Sequence, residues 1–308
     1  MKFVTFKNKK GEVKAGWLKD DGITDMQLAS NGSLPGNMLD FIDNNETYFP
    51  IIKERALEDA EATYSLKEVK LLPPLPNPRS FRDYISFEQH LLNATSRFGH
   101  SIAGEWYEMP IFYFTNHQAI YGPNDEIPKP AKETKLDYEL EMACIIGKKG
   151  KNIKAEEADA YIFGYTVFND WTARAIQGAE MKVHLGPAKG KDFANAIGPC
   201  IVTKDEMNRY MQHNGRFNVR MTSKINGQLI CDGNFNTIYY TFGQMIERAS
   251  ENNVTLFPGD ILGSGTVGWG SLIETGGEAH RFLEPGDVVE FEIEGIGVLK
   301  NTVACSGK

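Results

Sequence analysis

Apolar and polar positions along the chain repeat with two periods, and the strand period dominates. Phe3 to Phe6, Val13 to Leu18 and Ile23 to Met26 are short apolar stretches separated by Lys10-Gly11 and Asp20-Asp21-Gly22, which predicts a small β-meander. From Asn37 to Ala62 the spacing turns helical, with Leu39, Phe41, Ile42, Phe49, Ile51 and Ile52 set among acidic and amide residues. Pro73, Pro74, Pro76 and Pro78 then stiffen the chain into an extended segment of the kind that marks a boundary. The expected organisation is a small N-terminal domain over 1–71 and a second domain over 72–308.

Beyond the prolines, Ser80 to Tyr84 reads as a short extended piece. Ser86 with Gln89 three residues on is a capping-box pattern. It predicts a helix with His90 in its first turn, where the positive end of the helix dipole disfavours imidazolium. Pro110 to Phe114 is a predicted strand, Ala155 to Ile162 a short helix, and Leu185 to Asp192 a loop. Phe217 to Ile225 and Gln228 to Cys231 flank an Asn226-Gly227 hairpin turn. Phe242 to Ala249 is helical. Pro258-Gly259-Asp260 and Pro285-Gly286-Asp287 each launch a strand, the last alternating through Val289, Phe291 and Ile293. The chain reads as β-rich.

One stretch, Leu136 to Arg174, breaks the apolar pattern in an informative way. Glu139 and Glu141 stand at the head of a run closed by Gly147, and on a strand they project from one face. Like charges side by side on a strand are unfavourable unless solvated or separated by a cation. A half-exposed edge strand is one explanation; a divalent metal site with Asp170 as a third ligand is the other. All-oxygen ligation selects Mg2+, Ca2+ or Mn2+ over zinc. Taken singly, Asp170 also suits a helix cap, Asp83 a turn, His90 a helix surface, and Lys189 and Lys191 a solvated loop. Gly263 to Gly268 matches G-x-G-x-x-G literally, but neither a following helix nor a βαβ unit surrounds it, so a dinucleotide site is rejected.

Composition narrows the classes. The 308 residues are 41% hydrophobic and 24% charged, ordinary for a soluble globular protein. The formal net charge of −8, with no Lys/Arg tract, argues against nucleic acid and anionic membranes as partners. Cys144, Cys200, Cys231 and Cys305 form no C-x-x-C pair, so a reducing, cytoplasmic location is expected. The N-terminus lacks a signal-peptide apolar core, and no run reaches bilayer-spanning length.

Taken together, residues 72 to 303 resemble the fumarylacetoacetate hydrolase family. The matching text is Asp83-Tyr84 with His90, Asp137-Tyr138-Glu139-Leu140-Glu141, Gly164 to Asp170, Arg174 with Gln177, Lys191, Pro258 to Leu262 with Gly265-Thr266, Pro285-Gly286-Asp287 and Gly295 to Leu299. The resemblance implies a β-rich α+β fold: a mixed β-roll catalytic domain behind a small β-rich N-terminal domain, assembled as a homodimer. It assigns the divalent ion to Asp83, Glu139, Glu141 and Asp170. It makes His90 the general base and Glu274 the carboxylate that orients it, and gives Lys191 to the developing oxyanion. Arg174, Gln177 and Thr266 fall to substrate contacts. The implied activity is Mg2+-dependent (or Ca2+- or Mn2+-dependent) hydrolysis of a carbon–carbon bond in a small dioxo acid, an acylpyruvate or a relative of fumarylacetoacetate. The alternative on the same site is a decarboxylase or enol–keto isomerase of 2-oxo acids. Ile85 and Met181 stand where fumarylacetoacetase has substrate-binding tyrosines, and Phe114-Thr115-Asn116 lacks a lysine common among relatives, so a different substrate from fumarylacetoacetate is expected.

Overall fold

The apolar runs resolve into two large sheets and a two-stranded ribbon, Leu136–Asp137 with Thr172–Ala173, in the computed structural model, which describes residues 1–97, 99 and 101–305. The larger sheet has twelve strands. Its main path runs Tyr64–Ser65, Gly22–Asp25, Val13–Lys19, Lys2–Lys7, Asn195–Thr203, Ile162–Asp170, Leu140–Ile146, Asp260–Gly263, Ser80–Tyr84 and Phe112–Phe114. Pairing along it is antiparallel except that Asp260–Gly263 lies parallel to Ser80–Tyr84. The second sheet orders Gln228–Asn234, Arg220–Ile225, Val288–Ile293, Gly297–Val303 and Glu126–Ile127. The fold is a mixed, β-rich α+β architecture with few helices.

The N-terminal meander forms where its turns place it, and it continues the central sheet: Lys2 and Phe3 pair with Val202 and Ile201. The sheet therefore runs unbroken across residue 71. The helical stretch from Asn37 divides into Met38–Asp43, capped by the Asn37 side chain on the Asp40 N–H, and Asn45–Glu54, which contains Pro50.

Leu140–Ile146 explains its own composition. Met142, Cys144 and Ile146 belong to the core shared with Met221 and Phe291 of the second sheet. Ala143 and Ile145 belong to a separate core with Phe3, Phe41 and Phe163 on the opposite face. A strand covered on both faces is apolar along most of its length, and Glu139 and Glu141 at its head, though acidic, are buried with it. Among the described residues, no helix is long and apolar enough to cross a membrane.

The Pro285-Gly286-Asp287 turn is held by its aspartate. Asp287 accepts from Arg281 at 2.5 and 3.0 Å, from Asn226 Nδ2 at 2.9 Å and from the Glu284 N–H at 2.8 Å. Burial pushes its carboxyl up, but Arg281 and the other donors outweigh that and hold it at about 2, below the ordinary 3.8. A depressed carboxylate stabilises the fold above its unfolded pKa and loses that contribution as pH falls through the folded value. Asp287→Asn is thus expected to cost about 1–2 kcal/mol at neutral pH, the lower half favoured because Arg281 is largely exposed. Urea titrations should show the gap between the two proteins narrowing as pH falls from about 4 towards 2.

Candidate active site

Four carboxylates meet where three strands of the large sheet come together. Asp83 comes from Ser80–Tyr84, Glu139 and Glu141 from the head of Leu140–Ile146, and Asp170 from the end of Ile162–Asp170. Each offers one oxygen, and these four atoms lie within 4.8 Å of one another. Register makes the meeting possible: Leu140 pairs with Asn169, and Asp83 pairs with Gly263. Gly263 has to lack a side chain, because a Cβ there would lie 2.4 Å from Asp83 Oδ1. Gly265, at φ 81°, donates its N–H to Glu141 Oε2 at 2.7 Å. The glycine pattern that fails as a nucleotide loop therefore shapes the acidic cluster.

Buried carboxylates at this spacing resist ionisation unless compensated. Lys191 places its ammonium between Glu139 and Asp170 and donates to Thr172 Oγ1 at 2.7 Å. Arg174 joins Asp137 Oδ2 to Glu139 Oε1, both at 2.8 Å. Burial raises Glu139, but Lys191 and then Arg174 outweigh it and hold this carboxyl well below the usual range. Asp83 and Glu141 are pushed well above it, by burial first and then by the charge of neighbouring carboxylates. Asp170 is raised too, by burial, with Lys191 in partial opposition. Asp83 Oδ1 and Asp170 Oδ1 are buried without a hydrogen-bond partner among the described residues. Orphaned, under-compensated oxygens converging on one point fit a hard divalent cation. Asp170 caps no helix: its Oδ2 accepts from Tyr113 at 2.5 Å, and the next helix starts only at Arg174, after Thr172–Ala173 pairs with Leu136–Asp137.

His90 is the third residue of the Glu88–Ser96 helix and is 5% exposed. The Ser86–Gln89 capping box does not form. The residue before the helix is Phe87, in extended conformation and without a side-chain cap bond, its ring packed edge-on against Phe235 at 5.6 Å. Burial of that ring decides where the helix begins, and Ser86 Oγ is left buried without a partner among the described residues. His90 Nδ1 lies 2.9 Å from Glu274 Oε1, and Nε2 lies 4.0 Å from Glu139 Oε1. Glu274 is itself clamped by the Trp269 N–H at 2.6 Å, by the Ser271 N–H and Oγ, both at 3.1 Å, and by Asn93 Nδ2 at 2.8 Å.

Asp137, Asn93 and Tyr113 belong to this site and carry no role in the sequence reading. Asp137 accepts from the N–H groups of Leu272 and Ile273 at 2.8 and 3.0 Å, which ties the turn bearing Glu274 to the Arg174–Glu139 pair. Its place beside the paired glutamates was an available signal. So was the spacing of Asn93, three residues after His90 on one helix face. Nothing local marks Tyr113.

A cavity of about 400 Å3 opens onto the cluster, and Asp83, His90, Glu139, Arg174, Gln177, Lys191 and Thr266 all line it. Glu141, Asp170 and Glu274 stand behind that lining and touch it. Gln177 turns its Oε1 to Arg174 at 3.2 Å, and Thr266 Oγ1 lies 3.5 Å from Glu141 Oε1. The ten residues singled out from the sequence thus surround one cavity. Such an arrangement can bind a cation, hold an anionic head group, and move a proton at His90 Nε2.

A family model described as fumarylacetoacetate (FAA) hydrolase C-terminal matches residues 80–304. Oxaloacetate tautomerase Fahd2a, mitochondrial, of Rattus norvegicus is 31% identical over 285 residues, covering 92% of this chain and 84% of that protein. Oxaloacetate tautomerase YisK of Bacillus subtilis (strain 168) is 28% identical over 301 residues, covering 93% of this chain and 94% of that one. A solved fumarylacetoacetate hydrolase from psychrophilic Exiguobacterium antarcticum superposes with a TM-score of 0.74 at 25% identity, over 99% of this chain and 100% of the other. Every residue gathered at the cavity falls inside the matched region 80–304, and the chain belongs to the fumarylacetoacetate hydrolase family.

Proposed function

We propose that the chain is a divalent-metal-dependent hydrolase that cleaves a carbon–carbon bond in β-diketo acids of the acylpyruvate type. The observation that carries this reading is the aim of His90, with Nδ1 on Glu274 at 2.9 Å and Nε2 turned towards the acidic cluster. Glu274 Oε1 lies 2.9 Å from Nδ1 but outside hydrogen-bond alignment; a small turn of the ring would let it accept the Nδ1 proton and leave the Nε2 lone pair for a proton from outside. Asp83, Glu139, Glu141 and Asp170 would hold the ion, Mg2+, Ca2+ or Mn2+ by their all-oxygen character. When bound, that ion supplies Lewis-acid polarisation of the oxo-acid oxygens.

His90 takes a proton from water as the oxygen adds to the distal carbonyl carbon. The amide N–H2 of Gln177, left for substrate because its Oε1 faces Arg174, would donate to the developing negative charge, and Lys191, whose N–H groups already go to Glu139, Asp170 and Thr172, would act on it through its charge. When the carbon–carbon bond breaks, imidazolium at His90 returns the proton to the departing carbon. Water and an acylpyruvate become a carboxylic acid and pyruvate, with atoms balanced.

Keto–enol tautomerisation or decarboxylation of oxaloacetate is a second reading, favoured by several relatives named as oxaloacetate tautomerases, the two above among them. The same Nε2 would then work on the carbon beside the oxo group, with no water consumed. The deciding assay follows acetylpyruvate absorbance and the ketonisation of enol-oxaloacetate in parallel, with Mg2+ or Mn2+ and again after EDTA. Ion-dependent loss of acetylpyruvate with formation of pyruvate is expected. Efficient ketonisation with acetylpyruvate untouched would replace hydrolysis by the second reading.

A further inference from the structure

The two ends of the active-site cavity differ in chemistry. Its inner end holds the acidic cluster, His90, Arg174 and Lys191, while its outer wall is built from Ile85, Leu91, Ile111, Phe112, Met181 and Pro187. Arg174 and Lys191 are the cations among the described lining residues. Both are already engaged: Arg174 with Asp137 and Glu139, Lys191 with Glu139 and Asp170. A carboxylate placed against the outer wall would give up part of its water without gaining a counter-charge, which is unfavourable. Apolar carbon there gains from leaving water. Ile111 and Met181 are 40% and 47% exposed, so the rim keeps apolar surface that an apolar group in the cavity would cover. An acetyl group would leave most of a 400 Å3 space unfilled.

We propose that this site, read as above as an oxo-acid site, selects a substrate whose tail beyond the acidic head is neutral and apolar, an alkyl or aryl acyl group. It discriminates against a tail ending in a second carboxylate. Ile85, Ile111 and Met181 are the residues that set this specificity.

Binding tests the inference apart from turnover. Straight-chain 2-oxo acids from 2-oxobutanoate to 2-oxooctanoate lack the cleavable bond and can be titrated calorimetrically into the Mg2+-loaded protein, beside 2-oxoglutarate and 2-oxoadipate. Kd is expected to fall by up to about fourfold per added methylene, and each dicarboxylate to bind at least ~10-fold more weakly than the monocarboxylate of equal length. Met181→Lys, at an exposed position, should narrow or reverse that preference by supplying a counter-charge, and Ile111→Lys, at the other exposed apolar lining position, provides an independent repeat. Affinity that ignores tail length, or a dicarboxylate that binds as tightly as its matched monocarboxylate, would overturn the tail assignment while leaving the oxo-acid reading intact. Absence of any Mg2+-dependent binding across the series would overturn both.

Discussion

Replacing His90 with alanine is expected to lower kcat by about 10²- to 10⁴-fold while leaving the divalent-ion site in place. The ring's Nδ1 lies 2.9 Å from Glu274 Oε1 without forming an aligned hydrogen bond, and its Nε2 lies 4.0 Å from Glu139 Oε1. Glu274 keeps its four other donors, from Trp269, Ser271 and Asn93, so the turn that carries it should hold its shape without the ring. None of the four clustered carboxylates is lost. Thermal melting with and without Mg2+ should therefore give nearly the same ion-induced shift as in the unaltered protein. Glu274→Gln provides the companion measurement. An amide can donate as well as accept, so Nδ1 is no longer compelled to carry the proton, and kcat should fall while KM changes little. Unimpaired turnover by His90→Ala would remove the histidine from the mechanism.

Glu141→Gln should separate the structural cost of the acidic cluster from its use. In the chain without ions, Glu141 is raised by burial and by the neighbouring charge of Asp83, so its ionised form opposes folding at neutral pH. The amide removes that charge while Gly265 N–H still has an oxygen to bond. The ion-free variant is expected to be as stable as the parent or more so. The ion response should change the other way. At a free-ion concentration about 100-fold above Kd, binding stabilises the native parent by about 2.7 kcal/mol, a rise in Tm of about 5 °C or more. Glu141→Gln should lose most of that rise, and its activity should drop to the level of EDTA-treated parent. Melting curves across a Mg2+ and Mn2+ series check both signs at once. A parent insensitive to every divalent ion would sink the assignment of the cluster.

Some of this could be read along the chain because the relevant rules are local. The strand period places Glu139 and Glu141 on one side, and the apolar run behind them tells that the side is buried. Asn226 and Gly227, at φ 51° and 83°, form the hairpin turn that their small penalty for positive φ allows. His90 lies in the first helical turn, as its spacing suggests. The capping box did not form because a longer-range term outweighed it: Phe87 is 1% exposed, and burial of its ring set the helix start.

The amino-acid sequence by itself determined the kind of chemistry, through carboxylates, a histidine and glycines at spacings that strands and turns impose. Tertiary structure decided which of them meet. Asp83 joins the cluster only because Ser80–Tyr84 lies parallel to Asp260–Gly263, with Ser80 and Asp260 180 residues apart in sequence. Glu274 reaches His90 only because Asp137 pins the Leu272–Ile273 backbone and Asn93 closes from the helix. Ile85, Ile111 and Met181 become one apolar wall only once their segments face the same cavity. Local spacing constrains side chains within a turn or a pleat. Which distant segments share a face follows from burying both sides of the sheet at once, and no short window of residues encodes that.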